Sequence, residues 1–363
     1  MEKVASTRFG YHHRWSGEEK MDKPRFFVGI DIASATFTSA VGAMNDKWQI
    51  VVRPETFDNE FDSFVKYLRW LQEHGVQPEN SVICMEATGV YNEVLAHFLV
   101  ANRYLVAIEP PLKVKRAFKP AGHKSDPVDS TQIAVYAYRF WDELSPWAPR
   151  KEVLEQIKTL LTLREHLVVQ RAGHLNALHA LKRKAIRTSL AETIHERTIV
   201  ELKKHIEELE TEIRRLIDQD PDFRSIVGLL ISVPGVGLLL AAHMLIILQS
   251  APQPYSPKSL AAYIGICPYT DSSGSSIHHT PTSRHYGPPA LRKLLCLGAR
   301  SVSTHNPHFR TYFLRKTQEG KPKRLVINNI ANKLLDIMVA VVRSKTPYIP
   351  NYRSVSPGLL IRP

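Results

Sequence analysis

The segment RFFVGIDI, residues 25–32, combines aromatic and β-branched side chains with one acid, Asp31, just before its end. This composition is typical of a buried β-strand. ATFTSAVGA at 35–43 and WQIVV at 48–52 have the same character and follow after short connections. Because short connections join neighbouring antiparallel strands, we expect the three segments to form an antiparallel meander.

Downstream of these strands, helical and strand-like segments alternate. Apolar residues recur at helical spacing on one face of residues 59–74, namely Phe61, Phe64, Val65, Leu68 and Leu71. Buried strands are predicted at 81–87 and 104–109, and helices at 91–101 and 126–140. A meander followed by alternating strands and helices predicts an α/β domain with a mixed sheet.

The composition changes near Pro149, where long helical patterns begin. Residues 151–187 contain no Gly or Pro except Gly173. Within 192–219, apolar residues are spaced alternately by three and four: Ile199, Leu202, Ile206, Leu209, Ile213 and Leu216. This is the spacing of a coiled-coil seam, which predicts an antiparallel helical hairpin or pairing with another subunit. One amphipathic helix packed in a bundle explains the pattern equally well.

The predicted fold class is therefore α/β plus α. The expected regions are a flexible extension (1–24), the α/β domain (25–148), a coiled-coil or helical linker (149–220), a mostly helical C-terminal domain (221–346) and a tail (347–363). Within the C-terminal domain, we expect the Ser- and Gly-rich segment 270–284 to be a loop.

The charge balance favours a polyanionic partner. Lys and Arg number 48 against 35 Asp and Glu, a formal net charge of +13. Nucleic acid is the commonest partner of such a protein, although a scattered surface excess of charge explains the number too. The three cysteines show no zinc-binding spacing. No secretory signal and no run of about 18 apolar residues is evident, so we expect a cytoplasmic protein with reduced thiols and no membrane partner.

Four acids stand where a metal site can form. Asp31 and Glu86 come at the ends of predicted strands, and Asp126 and Asp129 share a face at the start of a predicted helix. Four carboxylates brought together in this way can bind two Mg²⁺ ions, which act on phosphodiesters. Each acid also has a simpler explanation. Asp126, for example, is a plausible helix N-cap before Pro127.

Basic residues directly precede the last two acids. The segment 113–124 carries five cations and no acid: Lys113, Lys115, Arg116, Lys119 and Lys124. Such a run can hold a nucleic-acid backbone beside a metal site, or it can be a solvated loop.

The C-terminal domain contains two further motifs. VPGVG at 233–237 lies between two apolar helical segments and looks like a helix-hairpin-helix turn, although a purely structural turn fits as well. YIGICPYTDSSGSS at 263–276 places four serines around Gly274. A serine hydroxyl needs an activating neighbour to act as a nucleophile. The candidates for such neighbours are Arg284, Arg292 and Lys293, which can bind a phosphoryl group, and His278, His279 and His285, which can be general acids or bases.

The stretch from Arg284 to Arg324 is also strongly basic. It contains ten Lys or Arg residues and a single acid, Glu319. We interpret it as a surface that binds nucleic acid.

Taken in order, these motifs resemble the IS-one-ten family of insertion-sequence transposases, also called DEDD transposases, over nearly the whole chain. GIDIA, MEATG and KSDPVD are similar to the motifs that carry the family's four acids in a RuvC-like, RNase H-type domain. SVPGVG, LAAYIGICP and the serine–glycine loop followed by LRKLL resemble the family's second domain. The family's serine precedes a glycine, and this maps onto Ser273.

The resemblance implies an activity and partners that the residues alone do not. It implies that Ser273 attacks a DNA phosphate and forms a covalent phosphoserine link, assisted by Mg²⁺ at the four acids. It further implies a dimer or tetramer, donor and target DNA as substrates, and a structured bridge RNA that specifies both. Such a bacterial protein is expected to associate with the nucleoid when it acts.

This chain departs from the family pattern in places. Gly287-Pro288-Pro289 stands where a glycine–asparagine pair is common, and Ser130 replaces a frequent alanine. The neighbouring Ser272, Ser275 and Ser276 leave the position of the nucleophile open by one to three residues.

Three other functions are compatible with parts of the sequence. A RuvC-like metal-dependent endonuclease acting on branched DNA needs the acids but not the serine. An actin-like sugar kinase is suggested only by GIDIASATFTSAV, since a second phosphate-binding turn and an adenosine loop are missing. A non-catalytic nucleic-acid-binding protein would not need all four acids.

Overall fold

The structure, a computed structural model, describes residues 23–44, 48–87, 89–118, 126–250, 255–273, 277–283 and 287–350. Nearly all of the predicted N-terminal extension, and the tail from residue 351, lie outside these ranges. The chain divides after Pro149 into two compact units.

The first unit is built on a five-stranded sheet. Its strands are β1 (Phe26–Ile32), β2 (Thr36–Met44), β3 (Trp48–Asp58), β4 (Ser81–Glu86) and β5 (Leu105–Glu109). Their order across the sheet is β3-β2-β1-β4-β5. The first three strands pair antiparallel, as predicted, whereas β4 runs parallel to both β1 and β5. The prediction of a mixed sheet is therefore confirmed.

Helices cover both faces of this sheet. They are α1 (Phe61–Glu73), α2 (Glu93–Ala101), α3 (Pro111–Arg116) and α4 (Asp126–Arg139). Val28 and Ile30 of β1 belong to a core with residues of α1 and α2, whereas Phe27 belongs to a second core with residues of α4. Because β1 is buried on both faces, its sequence is a continuous apolar run and does not alternate between apolar and polar residues.

Helix α4 and strand β1 approach each other very closely at Gly29. A Cβ added there would lie 2.2 Å from the backbone oxygen of Ser130 and 2.2 Å from the backbone nitrogen of Ala134. Only a residue without a side chain fits under α4 at this point. Gly29 therefore sets how closely α4, which begins with Asp126, lies on β1.

We predict that Gly29→Ala destabilises the first unit by about 3 kcal/mol, because the obstructing atoms are backbone and cannot rotate away. Hydrogen exchange of the β1 and α4 amides, together with thermal unfolding, measures the effect. Gly173→Ala is the matched control. Gly173 lies in a helix with nothing within 4 Å of an added Cβ, so stability should stay the same or rise slightly. Equal behaviour of the two variants would contradict the assigned role of Gly29.

The second unit begins with two long helices, α5 (Glu152–Leu181) and α6 (Ser189–Gln219). Ion pairs join Arg164 to Glu210 at 2.7 Å and Lys182 to Glu196 at 2.7 Å, so the helices run antiparallel. The predicted hairpin is therefore formed within one chain. Of the predicted seam, Leu202, Ile206, Ile213 and Leu216 are buried, while Ile199 and Leu209 are half-buried.

The rest of the second unit is helical apart from one hairpin. It contains α7 (Pro221–Ile231), α8 (Leu238–Ser250), α9 (Pro257–Ile264), β6 (Pro268–Ser273), β7 (Ile277–Ser283), α10 (Pro289–His305), α11 (Pro307–Gln318) and α12 (Lys323–Ser344). The expectation of a loop at 270–284 was wrong, because β6 and β7 pair antiparallel there. The residues Tyr269, Ile277, Thr280 and Thr282 have high strand propensity, and Ser272 and Ser273 of the Ser–Gly cluster belong to β6 itself.

Helix α12 is long and apolar enough to cross a membrane by length and composition alone. Eight of its residues are buried in the core of the second unit, among them Val326, Ile330, Leu334 and Met338. Packing inside the unit therefore accounts for its apolar composition.

A partly buried histidine makes the second unit sensitive to acid. Burial lowers the pKa of His243 on α8 to about 4, against an ordinary value of 6.5. The unfolded chain therefore takes up this proton at a higher pH than the folded chain does.

We predict that the second unit loses up to about 3 kcal/mol as pH falls from 6.5 to 4, since only the unfolded state is protonated in that window. Urea unfolding at several pH values measures this loss. His243→Gln should flatten the dependence, whereas His308→Gln, at an exposed position, should leave it unchanged. A His243→Gln profile identical to that of the wild type would refute the assignment.

Candidate active site

Two of the predicted acids lie side by side at one edge of the sheet. In the parallel pairing of β1 with β4, Ile30 is the partner of Met85. The next residues along the two strands are Asp31 and Glu86, and both are partly buried. The carboxyl ends of parallel strands meet at the same edge, so the register brings these acids together as the sequence suggested.

Helix α4 brings the other two acids toward the same edge. Tyr138, near the end of α4, packs edge-on against Phe27 with ring centroids 5.4 Å apart. The middle of α4 crosses β1 at Gly29. The helix therefore runs antiparallel to β1, and its first turn lies in the direction of Asp31. That first turn carries Asp126, which is exposed, and Asp129, which is partly buried.

Two asparagines brace the backbone around the strand ends. The Asn59 side-chain amide donates to the carbonyl oxygens of Ala33 and Tyr91, each at 3.1 Å, and so links the connections that follow β1 and β4. The amide of Asn92, itself buried, donates to the carbonyl oxygen of Glu86 at 3.1 Å. These bonds fix the relative positions of the segments that carry Asp31 and Glu86.

A third acid stands in the same row and was missed in the sequence. Glu109, the last residue of β5, is the register partner of Glu86 and is only 5% exposed. Its carboxylate is 3.0 Å from the ammonium of Lys113. The criterion that singled out Glu86, an acid ending an apolar strand, applies equally to Glu109.

The basic run after β5 falls into three groups. Lys113 is engaged by Glu109, whereas Lys115 and Arg116 on α3 are exposed. Lys119 and Lys124 lie outside the described residues, so their predicted role stays a prediction.

We call the edge of the sheet that carries Asp31 and Glu86, toward which the first turn of α4 is directed, the acidic edge. The ligands it offers suit magnesium, which prefers oxygen ligands. The four predicted acids supply carboxylate oxygens only, and they come from two neighbouring strand ends and one helix turn. In the described part of the chain, no three His, Cys, Asp or Glu side chains are close enough together to hold a metal ion. The Mg²⁺ site therefore stays a prediction based on residue type and placement.

In the second unit, the backbone of the β6–β7 hairpin places Ser273 next to the reversal. Ser273 ends β6 and pairs with Ile277, the first residue of β7, while Asp271 pairs with His279 and Ser272 with His278. Residues 274–276, between the paired ends, lie outside the described residues, as do Arg284 and His285.

The segment that leads into α10 lies against the end of α9. A Cβ added to Gly287 would lie 1.9 Å from the carbonyl oxygen of Tyr263, so the backbones touch there. Arg292 donates from Nη1 to the carbonyl oxygen of Ile264 at 3.0 Å. Lys293 is ion-paired with Glu165 at 2.9 Å. Two of the three predicted phosphate-binding cations, Arg292 and Lys293, therefore have protein partners.

The VPGVG turn packs inside its own unit. Gly235 has a φ of +81°, and an added Cβ would lie 2.6 Å from Val302 and 2.9 Å from the backbone of Gly298. A Cβ on Gly298 would lie 2.6 Å from the carbonyl oxygen of Gly235. This contact between the turn and α10 gives Gly235 a structural reason, one of the two explanations left open by the sequence.

The two units together define a class of protein: an acidic strand-end site on a mixed sheet, followed by a helical region with a serine hairpin. A DEDD transposase family model of IS110 type, described as "Transposase", matches residues 28–184. A second model, described as "Transposase IS116/IS110/IS902 family", matches residues 227–314. The first covers all four predicted acids, and the second covers Ser273.

Individual relatives extend this match over most of the chain. It is 30% identical over 325 residues to the pilin gene-inverting protein of Moraxella lacunata, covering 89% of this chain and 97% of the relative. The protein of the same name from Moraxella bovis is 31% identical with the same coverage. An uncharacterized protein of insertion element IS110 from Streptomyces coelicolor is 31% identical over 39% of this chain and 33% of its own. The chain belongs to the IS110 family of transposases and is a DNA transposase, an enzyme of DNA recombination.

Proposed function

We propose that this transposase cuts and rejoins donor and target DNA through a covalent link between Ser273 and a DNA phosphate. The acids Asp31, Glu86, Asp126 and Asp129 assist the reaction by holding Mg²⁺ in a RuvC-like domain. The observation that carries the proposal is that Asp31 and Glu86 end neighbouring parallel strands while the first turn of α4, with Asp126 and Asp129, is directed toward the same edge of the sheet.

The acids have an electrostatic task. When bound, Mg²⁺ supplies positive charge that stabilises the extra negative charge of a phosphate under attack. Asp31 and Glu86 are fixed by the sheet and by Asn59 and Asn92, so their positions need little reorganisation.

The serine has a covalent task. Its Oγ forms a bond to phosphorus as the serine proton passes to a base or to water. The bond from phosphorus to one DNA oxygen breaks, and this oxygen takes up a proton and leaves as a DNA hydroxyl. One DNA phosphodiester is thereby exchanged for a phosphodiester between serine and DNA, so the link can be reversed by a DNA hydroxyl without an external energy source. Ser273 suits this role because it is the last residue of β6, where the β6–β7 pairing ends.

The partners follow from the same proposal. Donor and target DNA are bound by basic residues such as Lys115 and Arg116, which are exposed beside the acidic edge. A structured bridge RNA specifies both DNAs, and the protein acts as a dimer or tetramer in the bacterial cytoplasm, at the nucleoid. The second candidate function is a RuvC-like endonuclease, favoured by the acidic edge alone, in which metal-activated water replaces the serine.

We predict that the protein forms a covalent adduct with DNA when incubated with Mg²⁺, the bridge RNA and labelled donor and target DNA. A denaturing gel detects it. Ser273→Ala should abolish the adduct. Ser272→Ala should retain the adduct, because this variant changes a neighbouring serine and leaves the proposed nucleophile in place. Asp31→Asn should reduce adduct formation by about a hundredfold or more, as is typical of losing an electrostatic catalytic group.

Other outcomes identify a different chemistry. Metal-dependent cleavage that survives Ser273→Ala, without any adduct, would establish the endonuclease. An adduct lost in Ser272→Ala and kept in Ser273→Ala would move the nucleophile by one residue. DNA binding with neither cleavage nor adduct in the wild type would point to an inactive copy.

A further inference from the structure

The pair formed by Glu109 and Lys113 has no role in the function proposed so far. Glu109 ends β5 and is buried, and a buried carboxylate is costly unless a cation or hydrogen bonds compensate its charge. The ammonium of Lys113 lies 3.0 Å away and supplies that compensation. Lys113 is the third residue of α3, so the pair also ties the start of α3 to the end of β5.

The pair lies immediately beside a predicted metal ligand. Glu86 and Glu109 are register partners in neighbouring parallel strands, where backbones are about 4.8 Å apart. Alternation along the strands places both on the sheet face of Cys84 and Ala107, which is the face covered by α4. Burial raises the pKa of the Cys84 thiol, and the negative charges of Glu109 and Glu86 raise it further, which agrees with this placement.

The ion pair is favourable for Lys113 as well. Burial by itself lowers the pKa of Lys113, but the contacts with Glu109 and Tyr136 together outweigh this effect, and the pKa is raised. The lysine is therefore charged at neutral pH, and its charge lies one strand away from Glu86.

We propose that Glu109 and Lys113 are a positioning pair that sets the affinity of the acidic edge for divalent cations. The two charges cancel when both are present. A neutral residue at 109 leaves the cation of Lys113 beside Glu86, where it repels a metal ion. A neutral residue at 113 leaves an additional negative charge, which attracts one. This inference rests on the proposed metal site at Asp31 and Glu86.

The test measures Mn²⁺ binding to the full-length protein by isothermal titration calorimetry, without nucleic acid. Glu109→Gln should weaken binding about tenfold, and Lys113→Met should strengthen it by a similar factor, since each changes the charge near a divalent ion by one unit. The double variant, which removes both charges, should bind within about twofold of the wild type. Lys115→Met, an exposed lysine on the same helix, is the matched control and should have a smaller effect.

The two single variants are expected to change Mn²⁺ affinity in opposite directions, and this distinguishes an electrostatic role of the pair from a purely structural one. If the pair only holds α3 in place, both single variants weaken Mn²⁺ binding in step with a loss of thermal stability in EDTA, and the proposal is wrong. Lys113→Arg keeps the charge and should bind like the wild type. If Lys113→Met does not fold, the Mn²⁺ affinity of Glu109→Gln is compared with that of the double variant. Only charge balance predicts that the double variant recovers the affinity that Glu109→Gln loses.

The variant Asp31→Asn distinguishes a failure of the positioning pair from a failure of the proposed metal site. Wild-type binding that is lost in Asp31→Asn supports the metal site independently of the pair. Absence of Mn²⁺ binding by the wild type would overturn both proposals. Binding that depends on Asp31 but shifts in neither single variant would overturn the positioning pair alone.

Discussion

The contact between α4 and Gly29 determines the geometry of the acidic edge. The backbone of α4 lies directly on β1 because position 29 has no side chain. The ring contact of Tyr138 with Phe27 then sets the direction of the helix along the strand. Given that depth and direction, the first turn of α4 points along β1 toward Asp31. Backbone packing therefore sets where Asp126 and Asp129 of the helix lie relative to Asp31 of the strand.

Much of the first unit could be predicted because its signals are local. Continuous apolar runs predict buried strands, and short connections predict antiparallel pairing, which fixed the meander of β1, β2 and β3. The adjacency of Asp31 and Glu86 was also predictable, since each is the acid at the end of a buried strand. The helical hairpin of α5 and α6 followed from periodicity, although periodicity alone could not decide whether its partner was in the same chain.

Other features depend on relations between distant residues, which a single sequence does not show. Glu109 becomes significant only when the register places it beside Glu86, and nothing in the local sequence gives that register. Gly29 looks like any small strand residue until α4 is placed on it. The β6–β7 hairpin was missed because its turn composition, rich in Ser and Gly, outweighed the strand propensity of Tyr269 and Ile277.

The charges of the molecule must satisfy two opposing requirements. DNA is attracted by a basic protein, and the net charge of +13 serves that need. A metal site requires carboxylates close to one another, and these repel both each other and a phosphate backbone until a cation is bound. In the first unit the two requirements meet between β5 and α3, where buried Glu109 is followed by Lys113 and the exposed Lys115 and Arg116. An ion pair at this junction lets positive residues begin within one helical turn of the acids without leaving an unbalanced charge in the sheet. Acidic and basic residues can therefore adjoin here, which is the arrangement that the metal-assisted reaction proposed above requires.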